Sequence, residues 1–193
     1  MKRLLDVAVA GAALLAAAPV MAAIAAAVKL DSRGPALFMQ TRVGRGGRPI
    51  RIAKFRTMVP DADRHGPAVT ASHDSRITRM GALLRRTKLD ELPQLWNVLR
   101  GDMSLIGPRP TLRYQVEQYD DRQRRRLEIR PGLTGWAQIH GRAGLSWPER
   151  IEYDLWYVDH RSPKTDLLIL LRTPIALFGG TYKGATGGWQ PPA

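Results

Sequence analysis

The chain has 193 residues, which is enough for one domain with a substantial core and too few for two of ordinary size. Its 30 Lys and Arg residues against 17 Asp and Glu give a formal charge of +13. Such an excess predicts polyanionic partners, whether nucleic acid, anionic lipid headgroups or phosphorylated small molecules. The chain contains no cysteine, which excludes a disulfide framework, a thiolate metal site and a cysteine nucleophile.

The N-terminal segment is apolar over a long stretch. Val7 to Val28 are 22 consecutive uncharged residues, dominated by Ala, with Pro19 near the middle. About 20 apolar residues are enough for a helix that spans a bilayer. A second interpretation is a membrane helix that enters and leaves by the same face, because Pro19 removes a backbone donor and clashes with the carbonyl of Leu15. The sequence alone leaves these two interpretations open.

A signal peptide is a weaker third interpretation of the same segment. Lys2 and Arg3 provide a basic start, but the apolar core exceeds the usual ~7–15 residues and Asp6 precedes it. Cations also follow the segment, at Lys29 and Arg33. Under the positive-inside tendency, basic residues at both ends would place both ends in the cytoplasm.

The next segment is basic and has the pattern of a β-hairpin. Seven basic residues and no acidic one lie between Asp31 and Asp61. A strand is predicted over Ala36–Thr41, a turn over Gly44–Gly47, and a returning strand over Ile50–Met58. The basic residues are either a solvated strand face or a rim that binds phosphates or lipid headgroups.

Helical spacing of apolar residues predicts three helices after a polar loop over 65–74. The first covers Ile77–Thr87, and the second starts at Thr87, runs toward Leu99 and closes at Gly101. The third is expected over Leu112–Ile129, stopped by the Pro-Gly step that follows. Trp96, within the second helix, is predicted to lie in the core.

The C-terminal part contains a last apolar segment and a tail. Leu167–Phe178 is interrupted by Arg172 and Pro174 and is too short to span a bilayer, so it is predicted to lie in the membrane interface. The tail over 179–193 is rich in Gly and Pro and is predicted to be flexible.

The Asp90-Glu91 pair carries the candidate chemistry. Thr87 followed by Asp90 has the spacing of a capping box, which by itself indicates only a helix start. The same placement would put a carboxylate at a helix N-terminus, where the dipole keeps it ionised and able to attack phosphorus. Glu91 could then hold Mg²⁺, which prefers oxygen ligands and often bridges substrate phosphates. The cations around the pair would neutralise the charge of two reacting anions.

Several separated motifs together resemble the bacterial sugar transferase family, the small monotopic phosphoglycosyl transferases that start glycan assembly. The resemblance covers roughly Lys2 to Phe178, in order and without a large gap. Its motifs are Lys54-Phe55-Arg56-Thr57-Met58, Leu89-Asp90-Glu91-Leu92-Pro93-Gln94-Leu95, Asn97-Val98-Leu99, Gly101-Asp102-Met103-Ser104, Gly107-Pro108-Arg109-Pro110, Arg130-Pro131-Gly132-Leu133-Thr134-Gly135-Trp136-Ala137-Gln138, Gly141-Arg142, Tyr153-Asp154-Leu155-Trp156-Tyr157-Val158 and Asp166-Leu167.

The resemblance implies an enzyme that transfers a sugar 1-phosphate from a UDP-sugar to polyprenyl (undecaprenyl) phosphate and releases UMP. It implies that Asp90 is the nucleophile and forms a covalent phosphosugar intermediate, while Glu91 binds Mg²⁺. The same comparison implies that several further side chains contact substrate: Lys54, Arg85, Arg109, Arg142, Asp154 and Asp166.

The implied fold is α+β and mostly helical, in a monotopic membrane protein with a re-entrant N-terminal helix, a small β-hairpin and interfacial amphipathic helices. The expected divisions are a membrane helix over 1–30, a catalytic domain over 31–178 and the tail. The expected location is the cytoplasmic face of the bacterial inner membrane, with anionic membrane lipids as further partners. Family members break the membrane helix at a Ser-Pro step, whereas this chain has Ala18-Pro19 and lacks the serine hydroxyl.

Alternative interpretations remain for individual residues and for the whole chain. Arg109 could stiffen a loop between two prolines, and Asp154 and Asp166 could be surface charges or helix caps. A nucleic-acid-binding protein would explain the net charge, but no nucleic-acid motif is present and the apolar N-terminus argues against it. A non-catalytic membrane scaffold is disfavoured by the intact Asp90-Glu91 pair. The sequence selects no sugar, glycan pathway or oligomeric state.

Overall fold

The computed structural model describes residues 2–62, 74–141 and 144–178, in which the chain is mostly helical with two small two-stranded sheets. The predicted class, mostly helical with a β-hairpin, is confirmed. The elements in chain order are α1 Lys2–Asp31, β1 Leu37–Val43, β2 Pro49–Phe55, α2 Arg79–Thr87, α3 Gln94–Arg100, β3 Ser104–Ile106, α4 Arg113–Val116, α5 Asp121–Arg124, β4 Gly132–Thr134, α6 Trp136–His140, α7 Trp147–His160 and α8 Pro163–Phe178. Short 3₁₀ turns cover Arg45–Gly47, Leu89–Glu91 and Arg125–Leu127. The predicted tail over 179–193 and most of the predicted loop over 65–74 lie outside the described residues.

The apolar N-terminal segment forms one uninterrupted helix. The 30 residues of α1 continue through Pro19, so the proline does not break the helix. Ala is the strongest helix former, and the Ala residues around Pro19 help to maintain the helix despite the lost hydrogen bond. With a mean hydropathy of 2.3, α1 is long and apolar enough to cross a membrane by length and composition.

Both ends of α1 are bound to the rest of the molecule by polar contacts. Near the start, Arg3 donates to the carbonyls of Val98 and Leu99, at 2.5 and 2.8 Å, where α3 ends. Asp6 is buried and accepts from the hydroxyl of Ser104 and a backbone N–H of β3, each at 3.1 Å. At the other end, Arg56 donates to the Ser32 carbonyl at 2.7 Å. These contacts position the helix along the domain.

The length of α1 between these ends is only partly covered. Ala10, Ile24 and Val28 are buried against two clusters of the core. By contrast, Leu15 is 79% exposed and Leu30 is 89% exposed. One stripe of α1 therefore packs on the domain, and the rest of its surface is apolar and open.

The predicted β-hairpin is confirmed, with strand boundaries shifted by a few residues. β1 and β2 pair antiparallel from Leu37↔Phe55 to Val43↔Pro49. The connection is tight because Gly46 and Gly47 both adopt positive φ, 65° and 77°, where a side chain would be strained.

The first predicted helix is present as α2, but its end differs from the prediction. The Thr78 hydroxyl accepts from the Gly81 N–H at 3.0 Å and caps the helix start. Thr87 does not form a capping box with Asp90. Its hydroxyl instead donates back to the Leu83 carbonyl at 2.9 Å, so Thr87 belongs to the end of α2.

The prediction of a second continuous helix from Thr87 is wrong. Lys88 adopts the left-handed conformation, with φ 62° and ψ 12°, and ends α2. A 3₁₀ turn and Pro93 follow before α3 begins, and α3 closes at Gly101 as predicted, with φ 92°. Trp96 is 54% exposed rather than in the core, because α3 turns its buried face toward Leu95 and Val98 instead.

The third predicted helix, over Leu112–Ile129, is also wrong. The chain there forms α4, α5 and a 3₁₀ turn instead of one helix. Asp120 is extended and its carboxylate accepts from the Gln123 N–H at 2.7 Å, while the Gln123 side chain binds the Asp120 N–H. This capping box starts a new helix and explains the break.

Two short parallel strands position the loop that follows β3. Ser104 pairs with Gly132 and Ile106 with Thr134. A Cβ on Gly132 would lie 2.1 Å from the nitrogen of Gly107, so only glycine permits this approach of the two backbones. The Gly107 N–H donates to the Thr134 carbonyl at 2.9 Å, which holds the start of the loop that carries Arg109.

The C-terminal helices α7 and α8 complete the described structure. α7 starts with a Ser146–Glu149 capping box. α8 begins earlier than the predicted apolar segment and buries Ile169 in the main core. Its other apolar side chains remain exposed, at 65% for Leu171 and 71% for Ile175.

Candidate active site

Asp90 lies on the 3₁₀ turn between α2 and α3. The left-handed Lys88 turns the chain, and the Asp90 side chain points inward, only 8% exposed. Its Oδ1 atom is buried and has no hydrogen-bond partner. Buried polar atoms are nearly always satisfied, so an orphaned carboxylate oxygen indicates a site for a ligand. The expected helix-dipole stabilisation of Asp90 is absent, because this turn is not the start of an α-helix.

Glu91 forms an ion pair with Arg109, the residue between the two prolines of the β3 loop. Arg109 Nη1 donates to Oε2 at 2.9 Å, and Nη2 donates to Oε1. This two-pronged arrangement is the strong form of the Arg–carboxylate interaction. The side chains of Arg109 and Glu91 are 36% and 14% exposed, so the pair lies at the edge of a pocket rather than deep in the core.

The β-hairpin contributes two more cations, Lys54 and Arg42. In the register of the sheet, Arg42 opposes Ile50 and Lys54 opposes Phe38, so both project from the same face as the buried Ile52. Arg42 donates from Nη2 to the side-chain oxygen of Gln40 at 2.8 Å, and its Nε is buried without a partner.

The pKa values of the two carboxyls are shifted in opposite directions. Burial and then the charge of Glu91 raise the pKa of Asp90, although Lys54 opposes them. Burial would also raise the pKa of Glu91, but Arg109 and Lys54 outweigh it and hold that pKa far below its usual range. Glu91 therefore stays ionised, and Asp90 is the carboxyl whose charge depends on its surroundings.

The cations are shifted as well. Burial, reinforced by Arg109 and Arg42, lowers the pKa of Lys54 to about 8. Burial and then Arg109 lower the pKa of Arg42 to about 10, whereas the charge of Glu91 raises the pKa of Arg109. The cations of the site repel one another, and an additional anion would relieve that repulsion.

The structure brings together part of the predicted set of site residues. Asp90, Glu91, Lys54 and Arg109 interact with one another electrostatically. Arg85 donates from Nε to the Thr57 hydroxyl at 2.8 Å, which places it beside the segment after β2. Arg142 lies outside the described residues.

Asp154 and Asp166 have partners elsewhere in the protein. Asp154 is 1% exposed and accepts from Arg126, which also donates to the hydroxyl of Tyr119. Asp166 accepts from Tyr157 and pairs with Lys2 of α1 at 2.7 Å. Both carboxylates thus connect elements of the fold, which is a different placement from the substrate contacts that the family resemblance implied.

Sequence reasoning did not single out Arg42 or Arg126. The register of β1 could have found Arg42, since it shares a strand face with apolar residues across the hairpin. No local pattern marks Arg126, which stood out only as one of a run of arginines on a predicted solvated face. It is 3% exposed because α7 covers it with Asp154 and Trp147.

The donor atoms were tested for their fit to a divalent cation. Within residues 2–62, 74–141 and 144–178, no group of three or more His, Cys, Asp or Glu side chains could hold a metal ion. The Asp90-Glu91 pair does provide carboxylate oxygens of the type that Mg²⁺ prefers, including the unpartnered Oδ1. Such a set fits an ion that takes its remaining ligands from substrate phosphates and water.

Comparison with known proteins identifies the class. The bacterial sugar transferase family model matches residues 1–180, and the chain belongs to this family. It is 48% identical over 187 residues to the UDP-glucose:undecaprenyl-phosphate glucose-1-phosphate transferase of Caulobacter vibrioides, covering 92% of this chain and 69% of the relative. It is 37% identical over 198 residues to the exopolysaccharide production protein ExoY of Sinorhizobium fredii, covering 94% and 88%.

A longer relative shows the same match over part of its length. The UDP-N-acetylgalactosamine-undecaprenyl-phosphate N-acetylgalactosaminephosphotransferase of Aeromonas hydrophila is 44% identical over 185 residues, which covers 93% of this chain but 44% of that protein. The chain is therefore a transferase of this family, similar over most of its length to curated sugar-phosphate transferases.

Proposed function

We propose that this transferase moves a sugar 1-phosphate from a UDP-sugar to polyprenyl phosphate and releases UMP, as the first membrane step of surface glycan synthesis. The names of the Caulobacter and Aeromonas relatives support the reaction, and the name of the Sinorhizobium relative supports an exopolysaccharide product. One observation carries the proposal: the buried, unpartnered carboxylate oxygen of Asp90 lies among the charges of Lys54 and Arg109.

The proposed reaction has two displacements at phosphorus. In the first, a carboxylate oxygen of Asp90 attacks the phosphorus that carries the sugar, and the bond from that phosphorus to the oxygen of UMP breaks. In the second, an oxygen of polyprenyl phosphate attacks the same phosphorus, and the bond to Asp90 breaks. Asp90 returns as a carboxylate, so the cycle needs no oxidant or external proton.

The cations have separate proposed roles in this reaction. Lys54 and Arg42 would contact the diphosphate of the donor, because each is largely desolvated and neither forms an ion pair with a carboxylate within the described residues. Arg109 would hold Glu91 in its ionised state and remain close to the transferred phosphoryl group. Positive charge fixed in advance around developing negative charge is the largest source of rate enhancement in phosphoryl transfer.

Mg²⁺ is the proposed cofactor, held by Glu91 together with donor phosphates. A carboxylate has about four lone-pair positions, so the Arg109 pair leaves Glu91 with acceptor capacity. The ion would supply charge neutralisation for the diphosphate. Arg85 is proposed to contact phosphate beyond this centre, and Arg142, Asp154 and Asp166 remain proposals of the family resemblance.

The proposed location is the cytoplasmic face of the bacterial inner membrane, with α1 inserted from that face alone. Both ends of α1 contact the same domain, through Arg3 and Asp6 at one end and Asp31 and Ser32 at the other. At about 1.5 Å per residue, a 30-residue helix is about 45 Å long, so a helix crossing the bilayer would carry one end far from the other face. Insertion from one side satisfies both contacts.

The release of UMP tests the proposed reaction. Purified protein in detergent would be incubated with a UDP-sugar, and UMP would be measured with and without polyprenyl phosphate and Mg²⁺. Sustained release is expected only when both are present, and Asp90→Asn serves as the matched inactive control. UMP release that is indifferent to the lipid acceptor would contradict the proposal, and a panel of UDP-sugars would then identify the donor.

A further inference from the structure

A second basic cavity lies away from the Asp90 site, at the start of α1. It encloses about 140 Å³, many times the roughly 10–15 Å³ that one water requires. Five cationic residues line it: Lys2, Arg3, Arg45, Arg130 and Arg161. It shares no lining residue with the group formed by Arg42, Lys54, Asp90, Glu91 and Arg109, so it is a separate site.

The acidic residues of this cavity do not neutralise its arginines. Asp6 is used by the Ser104 hydroxyl and a backbone N–H, and Glu128 pairs with Arg125 at 3.4 Å. Lys2 has Asp166 as its partner. The cavity therefore keeps an excess of positive charge.

Three of the arginines retain free donors. Arg45 and Arg130 each donate only from Nε in the described structure, to the carbonyls of Glu128 and Gly101 at 2.9 and 3.0 Å. Arg161 has no ion pair within the described residues. The planar guanidinium ends match the oxygens of a phosphate group, which they bind in pairs.

The position of the cavity indicates where that phosphate comes from. Lys2 and Arg3 begin α1, and Arg161 lies two residues before α8, so the cavity lies where both apolar helices begin. Leu4 and Leu5 next to it are 75% and 64% exposed, and Leu167 at the start of α8 is 58% exposed. Exposed apolar side chains beside unpaired cations are typical of a surface at the level of lipid headgroups.

We infer that this cavity binds the phosphate headgroup of an anionic phospholipid and so holds the starts of α1 and α8 at the membrane surface. The inference rests on the proposed insertion of α1 and is independent of the transfer reaction. The lipid would be a structural ligand rather than the acceptor, because the cavity contains none of the residues around Asp90.

The test counts lipids that remain bound in native mass spectrometry. Protein in detergent would be given equal amounts of phosphatidylglycerol and phosphatidylcholine. The wild type should retain phosphatidylglycerol in preference, and Arg45→Gln combined with Arg161→Gln should reduce that preference about tenfold, as expected for the loss of two charge-assisted contacts. The control pair, Arg113→Gln with Arg124→Gln, removes the same charge from exposed positions outside the cavity and should leave the preference unchanged.

Several outcomes would overturn the inference. No preference in the wild type, or equal loss in both double variants, would mean only general attraction of a basic protein. Inorganic phosphate alone is the third arm: stabilisation of the wild type against heat by phosphate, without retained phosphatidylglycerol, would assign the cavity to a soluble anion. Because lipid counts need no turnover, a failure of the UMP assay would leave this result readable.

Discussion

Asp90 and Glu91 are neighbours in the chain, yet their surroundings shift their pKa values in opposite directions. Arg109 binds Glu91 and lowers its pKa, while burial leaves Asp90 with a raised pKa and a free oxygen. Two titratable groups held apart in this way usually have different roles in a mechanism. Here we assign the fixed charge to Glu91 and the reacting oxygen to Asp90.

The first prediction concerns Asp90 as nucleophile. Asp90→Asn keeps the shape of the side chain but removes the attacking oxygen, so turnover should be abolished while the thermal unfolding temperature stays close to that of the wild type. Mass spectrometry of wild type given UDP-sugar without lipid acceptor should find a phosphosugar on the peptide that contains Asp90. Glu91→Gln is the matched control, since it should slow the reaction and alter its Mg²⁺ dependence without removing the adduct. Substantial activity in Asp90→Asn would refute the mechanism.

The second prediction concerns the pH dependence of kcat/KM, which reports the free enzyme. The raised pKa of Asp90 places the acidic limb above the ordinary carboxyl value of about 3.9. Lys54 is protonated below a pKa of about 8, so its charge is present at neutral pH and lost as the pH rises through 8. A bell-shaped profile is expected. Lys54→Arg should move the alkaline limb upward, and an unchanged alkaline limb would remove Lys54 from the site.

The third prediction concerns Arg42. Its buried, unpartnered Nε and its position on the same hairpin face as Lys54 point to contact with the donor phosphates. Arg42→Gln should lower kcat/KM by about tenfold or more, which corresponds to one charge-assisted contact. Arg51→Gln, on the opposite face of the adjacent strand and exposed, is the matched control and should have little effect. Equal losses in the two variants would indicate a general charge effect.

Among the elements, the Arg126–Asp154 pair connects the 3₁₀ turn after α5 to α7, and Arg126 also lies 3.5 Å from the carbonyl of Arg109. Both side chains are almost fully buried, at 2% and 1% exposed. A buried ion pair of this kind is costly to break, because the remaining charge has no water or partner. The pair thus positions the loop that carries Arg109.

The fourth prediction follows from that burial. Asp154→Ala should lower the free energy of unfolding by about 3–5 kcal/mol, measured by chemical denaturation. Replacing both partners, Arg126→Met with Asp154→Leu, should recover much of the loss because no buried charge is left. The matched control is Glu152→Ala, which breaks the exposed Arg122–Glu152 pair and should cost about 0–1 kcal/mol. A small effect of Asp154→Ala on stability with a large effect on activity would return Asp154 to the substrate-binding set.

The helix predictions failed where side chains cap the backbone locally. The apolar spacing continues from Thr87 to Leu99 and from Leu112 to Ile129, but Lys88 turns left-handed in the first and Asp120 starts a new helix in the second. A left-handed lysine has no sequence signature, because it is maintained by the packing of the residues around it. These breaks place Asp90 and Arg126 inward.

At the scale of the whole molecule, the fifth prediction is that both ends of α1 lie on one side of the membrane. Cysteines at positions 2 and 33 should react with an impermeant thiol reagent from the same side in oriented membrane vesicles. A cysteine at position 48, on the exposed hairpin turn, reports the side of the domain and serves as the control, since the native chain has no cysteine. Reaction of positions 2 and 33 from opposite sides would establish a spanning helix and refute insertion from one face.

The sequence by itself determined the family, the Asp90-Glu91 pair, the hairpin and the apolar N-terminal helix. Each of these depends on residues close together in the chain, as motifs, turn glycines or an uninterrupted apolar run. Only the tertiary structure decided that Arg42 joins the site, that Asp154 is bound by Arg126, and that α1 is attached at both ends. These arrangements arise from pairings between distant segments, where burial sets which charges meet, and no local pattern encodes that choice.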